Sequence, residues 1–140
     1  MARLHFKINV QAPKEKVWEM LWTDEGYRKW TSVFTEGSYA ESDWKEGSKI
    51  KFLSPNGSGM FGIIKKKIDY ERMTFEHQGE IKDGKEEPKD WAGAIEDYYL
   101  KEENETTELV VELDMNEEFQ DYFNATFPKA LQAVKQISEN

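Results

Sequence analysis

Few residue types in this sequence could carry chemistry. It contains no cysteine, which excludes disulfides and thiolate catalysis. Its two histidines are His5 and His77, and no carboxylate set accompanies them at a metal-binding spacing, so we expect neither a metal nor a cofactor. The stretch from Gly57 to Gly62 matches G-x-G-x-x-G. Strand-like residues rather than a helix follow it, so a hairpin turn is the better interpretation than a dinucleotide site.

His77 and Glu96 are the most promising pair for polar chemistry. His77 shares a predicted strand face with Phe75, and Glu96 shares one with Tyr98 and Leu100, so both side chains could point inward. If the two strands pair, a carboxylate beside a candidate general base would mark a functional site. We favour a plainer interpretation, in which Glu96 lies in water at the sheet rim and His77 is a hydrogen-bonded histidine of the core or of a cavity wall. No motif places a serine nucleophile beside His77.

The charge balance limits the partners. Lys and Arg number 19 and Asp and Glu number 28, which gives a formal net charge of −9. That charge repels phosphate backbones and anionic lipid surfaces, so we expect neither nucleic acid nor a membrane as a partner. No apolar run is long enough to span a bilayer, and the alternating start Leu4–Val10 does not read as a signal peptide. We therefore predict one cytoplasmic domain over residues 1–140.

The longest predicted element is a helix from Asn116 to Asn140. Its apolar residues recur at three- and four-residue steps and form one stripe: Phe119, Tyr122, Phe123, Phe127, Leu131, Val134 and Ile137. Asn116 is a suitable N-cap. Pro128 should bend the helix without ending it, because the stripe continues in phase beyond it. Such a helix needs an apolar surface to cover.

The preceding residues predict that surface. Leu4–Val10 alternates as a half-buried strand, and Pro13 begins a pair of short aromatic helices. Alternation and turn residues predict six further strands: Gly37–Ser42, Ser48–Leu53, Met60–Ile68, Met73–Glu80, Trp91–Leu100 and Glu108–Met115. The polar segment Lys82–Asp90 is expected to be a long exposed loop. The pattern indicates an α+β fold in which the last helix lies across an antiparallel sheet.

Several stretches of the sequence resemble one protein family. They are Ala12–Leu21 (APKEKVWEML), Tyr27–Trp30 (YRKW), Trp44–Gly47 (WKEG), Asp69–Phe75 (DYERMTF), Thr107–Leu109 (TEL) and Tyr122–Leu131 (YFNATFPKAL). The sequence is similar to the activator of Hsp90 ATPase homologue-like family, in the START/polyketide-cyclase (SRPBCC) superfamily. The resemblance implies the helix-grip, or START-like, fold: two short helices and a curved seven-stranded antiparallel sheet gripping a long C-terminal helix over a hydrophobic cavity. Such motifs specify a fold better than an activity.

The cavity is expected between the helix stripe and the inward faces of the strands, with the second short helix closing one end. The predicted lining residues are Trp30, Phe52, Phe75, His77, Glu96, Tyr98, Phe119, Phe123 and Phe127. Large rings on the helix and the sheet cannot all interdigitate where the sheet bends away. A gap of about 300–1,000 Å³ is therefore expected, the usual size of a ligand site.

Three functions follow from the resemblance, because the superfamily includes lipid and hormone binders, polyketide cyclases and chaperone regulators. We expect a domain that binds a small apolar or amphipathic ligand, such as a lipid, without catalysis. One alternative is an interaction protein that contacts a chaperone through its acidic surface. The other is a cyclase- or hydrolase-like enzyme that uses His77 and Glu96. An apolar cavity with few polar groups favours binding, a filled core favours interaction, and a roomy cavity with convergent polar groups favours catalysis.

Overall fold

The computed structural model describes residues 1–140 and consists of eight strands, three α-helices and one 3-10 turn. In chain order the elements are β1 (Ala2–Val10), α1 (Lys14–Trp22), α2 (Asp24–Thr31), β2 (Tyr39–Glu41), β3 (Lys49–Leu53), β4 (Gly59–Ile68), β5 (Arg72–Lys82), β6 (Lys85–Pro88), β7 (Ala94–Glu103), β8 (Thr106–Met115), the 3-10 turn (Glu117–Phe119) and α3 (Gln120–Glu139). This is the predicted α+β helix-grip arrangement. None of the helices has the length and apolar character needed to cross a bilayer.

Seven strands form the main sheet in the order β1-β8-β7-β5-β4-β3-β2, and every pairing is antiparallel. The seven-stranded sheet predicted from the sequence is therefore confirmed. Pairing of β5 with β7 places Phe75 opposite Glu96 and His77 opposite Ala94. This register brings the inward side chains of the two strands together.

The prediction of a long loop at Lys82–Asp90 is wrong. β5 continues to Lys82, the chain turns through Asp83 and Gly84, and β6 pairs back onto β5. Both turn residues have positive φ, 53° and 76°, which is the backbone of a tight hairpin turn and is favoured by Asp-Gly. The side chains of β6 are exposed, so their polarity reflects solvent contact and does not prevent strand pairing.

Local capping explains the helix pair at the start of the chain. Pro13 precedes α1, and the Thr23 hydroxyl accepts a hydrogen bond from the Gly26 amide at 3.2 Å to begin α2. The Trp30 indole donates to the Leu21 carbonyl at 3.1 Å and so joins the two helices. This pair therefore presents a rigid aromatic surface to the sheet.

Helix α3 runs without a break through Pro128, so the prediction that this proline does not end the helix is confirmed. The predicted cap at Asn116 is wrong, because its side chain makes no capping bond and a 3-10 turn precedes α3. Beyond the proline, Leu131 and Val134 are buried and Ile137 is partly buried. Before it, Phe119 and Tyr122 are 47% and 48% exposed. The two ends of the stripe thus meet different surroundings.

A group of aromatic rings fills one end of the space between helices and sheet. The Trp22 ring lies at its centre, with ring centroids at 4.9 Å from Tyr98, 5.3 Å from Phe75, 5.9 Å from Trp44 and 6.3 Å from Trp30. Close ring packing of this kind leaves no room for a ligand. An opening is left toward the start of α3.

Candidate functional site

An open cavity of about 580 Å³ lies between α2, the start of α3 and the inner faces of β3, β5, β7 and β8. It is lined by 28 residues, 17 of them hydrophobic, and ten of the 28 are Phe, Tyr or Trp. Four exposed apolar side chains stand among its walls: Met1, Met60, Phe119 and Tyr122. The volume lies within the range of about 300–1,000 Å³ that is typical of small-molecule pockets.

Eight of the nine residues predicted to line a cavity contribute to its walls: Trp30, Phe52, His77, Glu96, Tyr98, Phe119, Phe123 and Phe127. Phe75 does not. It faces inward as expected, but it is 1% exposed and is covered by Phe52 at 5.1 Å and Trp22 at 5.3 Å between ring centroids. The place predicted for Phe75 in the lining is therefore wrong, because neighbouring rings screen it.

His77, Glu96 and Tyr98 form a hydrogen-bonded polar group in the cavity wall, which we call the polar triad. His77 Nε2 lies 2.8 Å from Glu96 Oε1, and the Tyr98 hydroxyl donates to Glu96 Oε2. The interpretation of Glu96 as a rim residue in water is wrong, since its side chain is only 20% exposed and holds two protein partners. The reason is the β5–β7 register, which places Glu96 diagonally beside His77.

The hydrogen bonds of His77 indicate its tautomer. Nδ1 is buried and has no hydrogen-bond partner, while Nε2 faces the Glu96 carboxylate. A neutral ring with its proton on Nε2 donates to Glu96 and leaves at Nδ1 only an unpaired acceptor. Protonation of Nδ1 would bury a donor without an acceptor, which is costly. The contacts therefore fit the tautomer with its proton on Nε2.

Both tyrosines near Glu96 stay protonated. Burial, followed by the charge of Glu96, raises the pKa of the Tyr98 hydroxyl well above 10. The same two causes raise the pKa of Tyr27, which also lines the cavity. Two protonated tyrosines and the Glu96 carboxylate thus belong to a mainly hydrophobic lining.

A second group of hydrogen bonds, on the opposite face of β5 and β7, holds the two strands in register. Asp97 Oδ2 accepts from Arg72 Nη2 and from the Tyr99 hydroxyl, each at 2.8 Å, and Asp97 Oδ1 accepts from the Thr74 hydroxyl at 2.7 Å. We call these four residues the outer-face cluster. Because a one-residue slip would turn each side chain to the other face, the cluster supports the placement of the polar triad.

Sequence reasoning did not assign several lining residues to the cavity. Tyr27 precedes Trp30 by one helical turn, a spacing that indicates a shared face and could have identified it. Phe34 follows α2 in a segment without regular periodicity, and its ring packs on Phe127 at 5.3 Å. Trp91 was assigned to a strand that in fact begins at Ala94, so its side-chain direction could not follow from alternation.

The sequence profile of one protein family, described as activator of Hsp90 ATPase homolog 1-like protein, matches residues 11–137. The chain belongs to this family. A comparison with curated proteins found no match.

Solved structures of this family's fold resemble the chain over almost its whole length. The Aha1 dimer of Colwellia psychrerythraea matches with a TM-score of 0.77 at 23% identity, over 99% of this chain and 97% of that one. ChR145 of Cytophaga hutchinsonii matches with 0.74 at 21% identity, over 100% and 95%. CalU16 of Micromonospora echinospora matches with 0.70 at 18% identity, over 97% and 75%. At these identities the likeness establishes the shared START-like fold.

No group of three or more His, Asp or Glu side chains in the structure is arranged to hold a metal ion. What the site offers is an apolar surface, a carboxylate that accepts hydrogen bonds and two phenolic hydroxyls. It can enclose the apolar part of a small molecule and orient one polar group.

Proposed function

We propose that this protein binds a small apolar or amphipathic ligand in the cavity between α3 and the sheet. The observation that carries the proposal is the open space of about 580 Å³ with 17 hydrophobic residues among its 28 lining residues. Burying such a ligand removes apolar surface from water and accounts for a space that close packing would otherwise fill. The exposed rings of Phe119 and Tyr122 at the start of α3 suit the entrance.

The polar triad supports orientation of the ligand within that space. Glu96 accepts two hydrogen bonds inside the protein, and a carboxylate has lone pairs for more. A ligand with one polar end and an apolar body matches this distribution of groups.

The proposal can be tested by two-dimensional NMR of the uniformly ¹⁵N-labelled protein titrated with the neutral apolar dye Nile red. We expect shift changes confined to residues around the cavity, including Phe123 and Tyr98. Phe123→Trp, which enlarges a half-buried ring in the cavity wall, should weaken dye binding. Tyr70→Trp enlarges an exposed ring outside the lining and is the matched control. Scattered shift changes, or equal binding by both variants, would contradict the proposal.

A second candidate function is an acid–base enzyme acting in the same cavity. The convergence of His77, Glu96 and Tyr98 favours it, since a carboxylate and phenol within hydrogen-bond reach can move protons of a bound carbonyl compound. Glu96→Gln should then abolish turnover of a polyketide-like substrate while leaving its binding in place. Turnover that survives this change would remove the polar triad from the chemistry.

A third candidate follows from the family description, which concerns the activation of Hsp90 ATPase. The net charge of −9 would supply an acidic surface for contact with a chaperone. Addition of the protein to purified Hsp90 should then raise the rate of ATP hydrolysis. An unchanged rate at saturating protein would remove this candidate.

A further inference from the structure

The charged side chains of the cavity lining all have the same sign; the N-terminal ammonium of Met1, which is also at the lining, acts on Asp114. Glu80, Glu96 and Asp114 line the space, and none of the 28 lining residues is a lysine or an arginine. A ligand inside therefore meets carboxylates and no basic side chain.

Two of these three carboxylates, Asp114 and Glu80, already have a cationic partner. Asp114 accepts from Arg3 Nε at 2.6 Å and from the Ile95 amide at 2.9 Å. Glu80 lies 3.7 Å from Lys89 Nζ in an ion pair, and its side chain is 47% exposed. Their charges are balanced from outside the cavity and are partly screened by water.

Glu96 has no such partner. It is held by the neutral Tyr98 hydroxyl and by His77 Nε2, and the unpaired buried Nδ1 of His77 disfavours the imidazolium form. The carboxylate thus lies in a confined space bounded by aromatic rings, without a lysine or arginine partner. A low-dielectric site of this kind strengthens the attraction of a cation and the repulsion of an anion.

The aromatic walls favour the same ligand. Ten lining residues are Phe, Tyr or Trp, and the faces of such rings attract ammonium groups. An anionic head would meet neither a basic side chain nor a favourable ring face.

We propose that the cavity selects apolar molecules that carry an ammonium group, which binds at Glu96, over neutral molecules, and that it excludes anions such as fatty acids. This inference rests on the proposed ligand-binding function and specifies its ligand class. It predicts an order of affinity for ligands that differ only in the head group.

The test uses three compounds with the same ten-carbon chain: decylamine, decanol and decanoate. Each competes with Nile red for the folded protein at neutral pH and about 0.15 M salt, where remote surface charges are screened. We expect decylamine to bind about five- to tenfold tighter than decanol, the usual advantage of a charge-assisted over a neutral hydrogen bond. Decanoate should bind more weakly than decanol.

Two variants separate Glu96 from the general acidity of the protein. Glu96→Gln keeps the shape and an acceptor oxygen, and it should reduce the advantage of decylamine to within about threefold. Glu80→Gln removes one charge from another lining residue that already has a lysine partner, and it should leave the order unchanged. Far-UV circular dichroism and thermal unfolding check that both variants fold.

The outcomes are distinct. An amine advantage that survives Glu96→Gln, or that disappears in Glu80→Gln, would overturn the proposal. Equal or tighter binding of decanol or decanoate in the natural protein would also overturn it, while leaving ligand binding itself in place. Failure of Nile red and of all three compounds to bind would instead refute the proposed function and the inference together.

Discussion

Replacing Asp97 by asparagine tests whether the outer-face cluster holds the sheet together beneath the site. The Asp97 carboxylate is 6% exposed and accepts from the Arg72 guanidinium, the Thr74 hydroxyl and the Tyr99 hydroxyl. Asparagine has nearly the same shape as aspartate but no charge. In either orientation of its side-chain amide, the NH₂ group takes the place of an oxygen that accepts a hydrogen bond from Arg72. At least one hydrogen bond must therefore be lost.

The expected loss of stability is about 2–3 kcal/mol. Breaking a fully buried ion pair by removing one partner costs about 3–5 kcal/mol. The cost here should be lower, because the Arg72 side chain is 31% exposed and can recover contact with water. For a chain of 140 residues, 1 kcal/mol corresponds to about 3 °C in melting temperature, so we expect a decrease of about 6–9 °C.

The pH dependence gives a second measure of the same interaction. Burial raises the pKa of Asp97, but hydrogen bonds from Arg72, Thr74 and Tyr99 outweigh burial and hold it below its usual value. The stabilisation that the Asp97 charge contributes is therefore fully present above the pKa that Asp97 has in the unfolded chain. It is lost as the pH falls through the lower pKa that Asp97 has in the folded protein. The difference between the natural protein and Asp97→Asn should be constant above about pH 5 and shrink below about pH 4.

Urea denaturation followed by circular dichroism from pH 3 to pH 8 measures both quantities. Asp69→Asn is the matched control: its carboxylate is 71% exposed and 4.0 Å from Lys67, so we expect a change within about 0.5 kcal/mol. A similarly small effect of Asp97→Asn would refute the reasoning. So would a difference that stays constant into acid, because the charge of Asp97 would then not be its source.

Three further predictions concern other parts of the molecule. Gly79→Ala should detach β6, because a Cβ at this position would lie 2.2 Å from the Glu87 carbonyl oxygen. Hydrogen exchange of the β6 amides should then accelerate, and unchanged protection of these amides would contradict the prediction. Pro128→Ala should raise the free energy of unfolding by about 1–2 kcal/mol, because proline inside a helix lacks an N–H. A loss of stability in chemical denaturation would mean that α3 needs the bend we predict. Finally, the net charge of −9 predicts that the protein is not retained on immobilised DNA at neutral pH in a salt-sensitive way. Such retention would contradict this prediction and would indicate a local basic surface on the folded protein.

Much of the fold could be predicted because its signals are local. Leu4–Val10 alternates and is a strand, and the stripe from Phe127 to Val134 has helical spacing and is buried. A repeat of apolar residues every two positions in a strand, or every three to four positions in a helix, shows which side chains share a face. The residue before a helix, such as Thr23, likewise acts through its immediate neighbours.

The errors arose where a local pattern had more than one tertiary solution. A polar stretch can be a loop or an exposed strand, and Lys85–Pro88 became a strand because the Asp-Gly turn folded it onto β5. An inward-facing ring can line a cavity or lie behind it, and Phe75 lies behind it because Trp22 and Phe52 cover it.

By itself, the sequence determined the order of the helices and of the seven strands of the main sheet, the aromatic character of the interior and the acidity of the chain. Only the tertiary structure decided that Glu96 meets His77, since these residues are 19 positions apart and their contact depends on the pairing of β5 with β7. It alone decided that a space of about 580 Å³ stays open under the start of α3. The physical reason is that periodicity fixes the direction of a side chain within its own element, whereas a contact or a gap depends on how far apart two packed elements lie.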